Sequence, residues 1–97
     1  MRKISWDKQA AIQLSKAIGY IRKDSPQNAD KVKKDILYKI ALLVANAERH
    51  PPDKYQINNA GNFRSFVIHR YRISYLVKEE GIIVVRIRHM SMKPLSY

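Results

Sequence analysis

The last third of the chain contains two apolar-rich runs with the two-residue period of β-strands. The first run covers residues 70–77, and the second covers residues 82–89 after the break Glu79-Glu80-Gly81. β-Branched and aromatic residues fill both runs, and the polar, glycine-containing break between them is typical of a turn. This pattern predicts an antiparallel hairpin, and we expect the preceding residues to support it.

Alternation along the two strands predicts which side chains share a face of the sheet. One face is apolar and the other carries arginines, as in a sheet that helices cover on one side only. The predicted apolar set is Ile73, Tyr75, Val77, Ile83, Val85 and Ile87. The predicted outer set is Arg72, Ser74, Leu76, Val84, Arg86 and Arg88.

The first quarter of the chain changes from a strand-like to a helical pattern. Residues 2–6 predict a short strand with Ile4 and Trp6 as its apolar positions. From Asp7 to about Lys23, apolar residues recur at three- and four-residue spacing, which predicts an amphipathic helix capped by Asp7. The apolar positions of this helix are Ala10, Leu14, Ala17, Ile18 and Ile21.

A second helix is predicted from Pro26 to about Arg49. Ser25 is placed to cap it, Pro26 suits the first helical position because its missing amide costs nothing there, and Pro51-Pro52 ends the segment. Its apolar stripe consists of Val32, Ile36, Ile40, Leu43, Val44 and Ala47. The two helices therefore predict an antiparallel hairpin whose stripes cover the apolar face of the sheet.

The remaining segments complete the order of elements. Residues 54–57 predict a strand, residues 58–62 predict a turn, and residues 63–69 predict another strand that reverses tightly at His69-Arg70. The order is β-α-α-β-β-β, and we predict an α+β fold with a helical hairpin on one face of a small antiparallel sheet. Residues 1–97 suit a single domain.

Composition adds a strong positive charge. Nineteen Lys and Arg against eight Asp and Glu give a net charge of +11, which attracts polyanions and acidic proteins; a basic surface that serves only solubility is the alternative. There is no cysteine, so a disulfide framework and thiolate metal sites are excluded. No signal-like or membrane-spanning run is present, and we expect a soluble, cytoplasmic protein.

The motifs of several enzyme classes are absent. There is no glycine-rich phosphate loop and no pair of histidines at metal-ligand spacing, so we expect no metal and no cofactor. Acidic residues are few, which argues against hydrolysis by a carboxylate pair. The groups that remain are cationic or hydroxyl-bearing: Arg64, Arg72, Arg86, Arg88, His89, Ser91, Lys93 and Tyr97.

These groups suit a phosphate-containing ligand. Guanidinium groups match phosphate oxygens and stabilise charge that develops on phosphorus. Attack of an RNA 2′-hydroxyl on its own phosphate needs a base, an acid and cations, and either His89 or Tyr97 could transfer the protons. The structural alternatives are a surface histidine, a packed tyrosine, an ion pair at Arg72, and a solvated face carrying Arg86 and Arg88.

Taken together, these segments resemble the RelE/ParE superfamily of bacterial toxins. The resemblance rests on the Phe63-Arg64 strand, the Tyr71-Arg72-Ile73-Ser74-Tyr75 segment, and the Arg86-Ile87-Arg88-His89 strand with its Ser91-Met92-Lys93-Pro94 tail. It covers nearly the whole chain. Each motif is short, and it is their order and spacing in a basic chain of this length that make the resemblance fairly specific.

The resemblance implies the toxin of a type II toxin–antitoxin module. It also implies a cognate antitoxin that wraps the toxin with a largely disordered segment, whose acidic residues would complement the +11 surface. RelE-like members cut messenger RNA in the ribosomal A site, whereas ParE-like members block DNA gyrase and show no nuclease chemistry. The messenger-RNA endonuclease is the favoured prediction, with gyrase inhibition as the alternative.

The resemblance also implies roles for individual residues in RNA cleavage. The catalytic arginine of the penultimate strand corresponds to Arg72, and the C-terminal tyrosine corresponds to Tyr97. The chain departs from the ribonuclease pattern at Phe66 and Ser91, where basic residues are usual. The predicted catalytic residues are Arg72, Arg88, His89 and Tyr97, and the predicted phosphate-binding residues are Arg64, Arg86 and Lys93.

Three hypotheses follow. In the endonuclease, Arg72 and Arg64 hold the scissile phosphate, and Arg88 or Lys93 stabilises its transition state. In the gyrase inhibitor, the tail from residue 89 to residue 97 and the basic surface bind a protein instead. In the third, the chain is a nucleic-acid-binding module without toxicity, which predicts binding that depends steeply on salt.

Overall fold

A computed structural model describes residues 3–47, 50–52 and 62–91. Its elements follow the predicted order of a strand, two helices and three strands, so the predicted α+β fold is confirmed. The elements are β1 (Lys3–Trp6), α1 (Lys8–Asp24), α2 (Pro26–Leu42), β2 (Phe63–Ile68), β3 (Tyr71–Val77) and β4 (Gly81–His89). The strand predicted at residues 54–57 lies outside the described residues.

Both helices begin at the predicted caps. The Asp7 carboxylate accepts a hydrogen bond from the Gln9 amide at 2.8 Å. Ser25 serves both helices, because its amide donates to the Ile21 carbonyl at 3.0 Å and its hydroxyl accepts from the Asn28 amide at 3.1 Å. One residue thus ends α1 and starts α2, which makes the reversal between the helices tight.

The second helix ends earlier than predicted, at Leu42 instead of Arg49. The chain continues in tighter turns, in which the Ala45 amide donates to the Leu42 carbonyl at 3.3 Å. Leu43 and Ala47 nevertheless remain buried, and the buried Tyr75 hydroxyl donates to the Ala47 carbonyl at 2.7 Å. The apolar stripe therefore marks burial correctly beyond the point where the helix stops.

The four strands form one sheet in the order β1-β4-β3-β2. The pairs β2–β3 and β3–β4 are antiparallel, as predicted, but β1 pairs with β4 in parallel, so the expectation of a wholly antiparallel sheet is corrected to a mixed one. Parallel neighbours need a long connection, and the chain between β1 and β4 supplies it. Four residues of strand-like sequence do not specify the direction of pairing.

A β-bulge changes which residues of β4 face the core. Arg86 lies opposite Ser74, but the next pair joins Val84 to Tyr75, so Val85 is an extra residue in β4. The buried residues of β4 are consequently Ile82, Val84 and Ile87. The prediction that Ile83 and Val85 belong to the apolar face, and Val84 to the outer face, is wrong, because strict alternation cannot anticipate a bulge.

The core lies between the helices and one face of the sheet. It combines buried residues of α1 and α2 with those of β2, β3 and β4, and Ile4 and Trp6 of β1 pack against it. Tyr75 is the largest fully buried side chain among the described residues. We call this the helix side of the sheet, and we call the opposite face the far side.

Candidate functional site

Three predicted cationic residues share the far side of the sheet. Arg72 of β3 lies directly opposite Arg88 of β4, and Arg86 lies opposite Ser74 two residues along. All three arginines are half-buried. Like charges that face each other across two strands repel, so this arrangement favours an anionic partner or acidic neighbours. The three arginines therefore share the face predicted for them, although Val84, also predicted there, lies in the core.

The far side is nonetheless not a fully exposed, uniformly basic surface. Ser65 and Ser74, which pair directly across β2 and β3, are only 6% and 2% exposed. Phe63 and Leu76, the next pair along, are half-buried. The middle of this face is therefore shielded from solvent, and the sheet does not present the open surface expected from the sequence.

Arg64 lies on the other side of the sheet. It pairs with Tyr75, whose side chain is buried on the helix side. Its Nη1 atom donates a hydrogen bond to the His50 carbonyl at 2.7 Å. Because directly opposed residues of an antiparallel pair share a face, Arg64 and Arg72 lie on opposite faces, and the structure does not bring these two predicted phosphate ligands together.

His89 also lies on the helix side, at the end of β4. It pairs with Tyr71, and the two rings meet edge to face with centroids 4.9 Å apart. The Ser91 amide donates to His89 Nδ1 at 3.0 Å, and the Ser91 hydroxyl lies 2.7 Å from the same atom. Since Nδ1 accepts, the neutral imidazole carries its proton on Nε2. Arg72 and Arg86 are therefore separated from this histidine by the sheet.

His89 opens onto a cleft of about 600 Å³ between α1 and the end of β4. We call it the α1–β4 cleft. Its lining residues are Gln13, Lys16, Ala17, Tyr20, Tyr71, Ile87, Arg88, His89 and Ser91. The α1 residues of this cleft were not among the predicted site residues, although the spacing of Gln13, Lys16 and Tyr20 places them on one helical face. Nothing in the sequence indicates which strand that face meets.

Tyr71 stands in this cleft as a neutral phenol. Burial, and secondly the neighbouring Tyr20, raise the pKa of Tyr71 above its usual value of 10.0. Because its pKa is raised, Tyr71 stays protonated near neutral pH and supplies no phenolate to accept a proton. It can donate a hydrogen bond, but it offers no replacement for a catalytic base.

Lys93 and Tyr97, the other predicted site residues, lie outside the described residues, and their roles stay predictions. Within residues 3–47, 50–52 and 62–91, no group of three or more His, Asp or Glu side chains is placed to hold a metal ion. In the same residues, no helix is long and apolar enough to cross a membrane.

Comparison with known proteins identifies the family. No curated protein matches the chain. Among solved structures, the chain is similar to a chain of the chromosomal ParDE toxin–antitoxin system from P. aeruginosa, with 21% identity, a TM-score of 0.71, and coverage of 92% of this chain and 96% of that one. The family model described as the ParE toxin of the type II toxin–antitoxin system parDE matches residues 4–94. The chain therefore belongs to the ParE toxin family of type II toxin–antitoxin systems.

Proposed function

We infer that this toxin acts by blocking DNA gyrase and not by cutting messenger RNA. Membership of the ParE family favours this alternative over the endonuclease that the sequence analysis preferred, since the ParE-like branch of the superfamily is the one directed at gyrase. The observation that carries the inference is the distribution of the candidate residues over two faces of the sheet.

Metal-independent RNA cleavage needs a base, an acid and cations around one phosphate. Arg72, Arg86 and Arg88 lie on the far side, whereas Arg64 and His89 lie on the helix side. Arg64 is engaged by a backbone carbonyl. Within the described residues, only Arg88 lines the α1–β4 cleft beside His89, and neither Arg64 nor Arg72 does.

The departure at Phe66 has a structural basis. In the ribonuclease pattern a basic residue stands at this position, but here the Phe66 side chain is only 7% exposed and belongs to the core. Its ring lies 4.7 Å from the His50 ring, between centroids. A lysine there would place a charge in the core, which is costly. The burial of Phe66 in the core supports the proposal that this position serves packing.

The proposed mode of action is binding. The basic surface and the segment that starts at His89 would contact gyrase as a protein partner, with charge increasing the rate of encounter. No covalent step is needed for such inhibition. The antitoxin would neutralise the toxin by covering surface that gyrase must reach.

One culture can separate the two modes of action. The chain is induced alone in a bacterial host, and primer extension on messenger RNA and plasmid topology are measured together. We expect intact transcripts and altered supercoiling, and we expect the purified toxin to inhibit supercoiling by gyrase in vitro.

Cuts at codon positions inside translated frames would overturn the proposal, provided that Arg72→Ala removes them. Arg72→Ala and Lys34→Ala form a matched pair here, because both remove one positive charge but only Arg72 corresponds to the family's catalytic arginine. Harmless overexpression of the wild-type chain would argue against both toxin mechanisms.

A further inference from the structure

The second half of α2 is apolar on two opposite faces. One face packs into the core through the buried Ile36 and Ile40. The other face carries apolar side chains at positions i, i+1, i+4 and i+5, which lie together on the surface of a helix. Its members are Leu37, Tyr38, Ala41 and Leu42. We call these four residues the outer α2 patch.

The outer α2 patch is open to solvent. Leu37, Tyr38 and Leu42 are 39%, 65% and 38% exposed, and Ala41 between them is exposed as well. A helix that is apolar all round is normally covered on all sides, and a contiguous exposed apolar patch marks an interaction site. This pattern therefore indicates a binding surface on the outer side of α2.

The patch is uncharged, although the chain carries a net charge of +11. Lys39 is the only charged residue between positions 36 and 47, and its Nζ atom lies over the Phe66 ring, 6.0 Å from the centroid, on the sheet side of α2. Asp35, the nearest charged residue before the patch, is held by Lys31 at 2.8 Å. The patch thus matches an apolar, uncharged surface better than an acidic one.

The patch is also complementary to itself. Side chains four residues apart form the ridges by which helices pack, and the patch contains two such rows, 37–41 and 38–42. In two antiparallel copies related by a two-fold axis, the large Tyr38 and Leu42 of one copy can cover the small Ala41 of the other. Lys34, one turn before Tyr38, then lies at opposite ends of the pair, which keeps these like charges apart.

We propose that the outer α2 patch is a self-association surface, on which a second copy of this chain packs its own α2. A standard interface has about 20–30 residues a side, and this patch is much smaller, so we expect a weak dimer with a Kd of roughly 10–100 μM. The patch faces away from the sheet, so the far side of each copy stays accessible. The proposal goes beyond gyrase inhibition and does not depend on it.

Sedimentation equilibrium of the full-length toxin without antitoxin measures this dimer. The average mass should rise with concentration towards twice that of the monomer. Tyr38→Ala should raise the Kd of the dimer about tenfold or more, whereas Tyr20→Ala, which removes a tyrosine that is 69% exposed on α1, should change it less than about twofold. Equal effects of the two substitutions would overturn the proposal.

A toxin that stays monomeric at every concentration would also overturn the proposal. Binding of the wild-type toxin and of Tyr38→Ala to the antitoxin, to gyrase and to anionic lipid vesicles is therefore measured alongside. A monomeric toxin that loses one of these interactions with Tyr38→Ala would assign the patch to that partner instead.

Salt separates apolar self-association from an electrostatic contact. Two copies with a net charge of +11 repel each other, and added salt screens this repulsion. The Kd of the dimer should therefore fall as the salt concentration rises. A dimer that dissociates as salt is added would depend on charged groups, and this result would contradict packing through the outer α2 patch.

A single introduced cysteine tests the contact directly, since the chain has no cysteine of its own. Ala41→Cys places a thiol in the patch near the two-fold axis, and Gln27→Cys places one at an exposed position at the other end of α2. A disulfide requires Cα atoms within about 7 Å, so we expect Ala41→Cys to form a covalent dimer at least about tenfold faster under mild oxidation.

The cysteine experiment remains decisive even if Tyr38→Ala does not fold. Urea unfolding of the reduced cysteine variants shows that both retain the stability of the wild-type chain. Equal rates of cross-linking at positions 41 and 27 would mean that the copies meet only by random collision, and would overturn the proposal.

Discussion

Gly81 begins β4 directly beside Lys3 of β1. A Cβ atom at Gly81 would lie 2.8 Å from the Lys3 carbonyl oxygen, which is backbone and cannot rotate away. The close approach of two strands therefore requires the absence of a side chain at this position. Gly19 in α1 provides a contrast, because a Cβ there meets no atom within 4 Å.

We predict opposite effects of the same substitution at the two glycines. Gly81→Ala should lower the free energy of unfolding by about 1–3 kcal/mol, because β1 must shift away from β4. Gly19→Ala should raise it by about 0.5–1 kcal/mol, because alanine is favoured over glycine inside a helix. Urea unfolding of the two variants checks both values. A neutral Gly81→Ala would mean that β1 is not held against β4 as described.

Asp35 connects α2 to the turn between β2 and β3. Its Oδ2 atom lies 2.8 Å from Lys31 Nζ and 2.7 Å from His69 Nε2. His69 and Arg70 both have positive φ, at 50° and 66°, which is the conformation of a two-residue hairpin turn. The carboxylate thus holds a turn built from residues that seldom adopt this backbone.

The hydrogen bonds from Lys31 and then His69 lower the pKa of Asp35 below its usual value of 3.8. A lowered folded-state pKa contributes stability above the unfolded pKa, and this contribution is lost as the pH falls through the folded value. We predict that Asp35→Asn destabilises the protein near pH ~7, and that the difference from wild type is lost as the pH falls through the folded-state pKa, which lies below 3.8. Denaturant midpoints measured at neutral pH and across the acid range test this. The control is Asp30→Asn, because Asp30 forms an exposed ion pair with Arg22.

Among the elements, the helical hairpin depends on Ser25. Its hydroxyl caps α2 while its amide closes α1. We predict that Ser25→Ala lowers the free energy of unfolding by about 1 kcal/mol, whereas Ser25→Asp retains most of it. Ser15→Ala makes the same chemical change at an exposed position inside α1 and should be neutral or slightly stabilising. Thermal unfolding, followed by circular dichroism, measures these changes. Equal losses of unfolding free energy in Ser25→Ala and Ser15→Ala would contradict the prediction.

The elements also show what the sequence could predict. Helix starts at Asp7 and Ser25 were predictable because caps are local chemistry. The face of Val84 was not, because a bulge depends on how β4 fits β3. Arg64 was assigned to the site from its order in the chain, but strand pairing places it on the helix side. The α1–β4 cleft joins residues more than 50 positions apart, and no local pattern reports such a meeting.

The net charge of the whole molecule bears on whether the toxin binds nucleic acid specifically or nonspecifically. A net charge of +11 on 97 residues attracts any polyanion, and such attraction carries no sequence information. The candidate phosphate ligands are divided between two faces of the sheet. A positively charged surface without a specific phosphate-binding site should bind nucleic acid weakly, and added salt should abolish this binding.

We therefore predict that the toxin binds unrelated DNA duplexes with similar affinity, and that log K falls by about 0.9 for each tenfold rise in salt per phosphate contacted. Fluorescence anisotropy across salt concentrations measures this slope. Lys16→Glu and Lys34→Glu should weaken DNA binding equally, because both change the net charge by the same amount. A preferred sequence that persists at high salt would contradict this prediction and would indicate a nucleic-acid target.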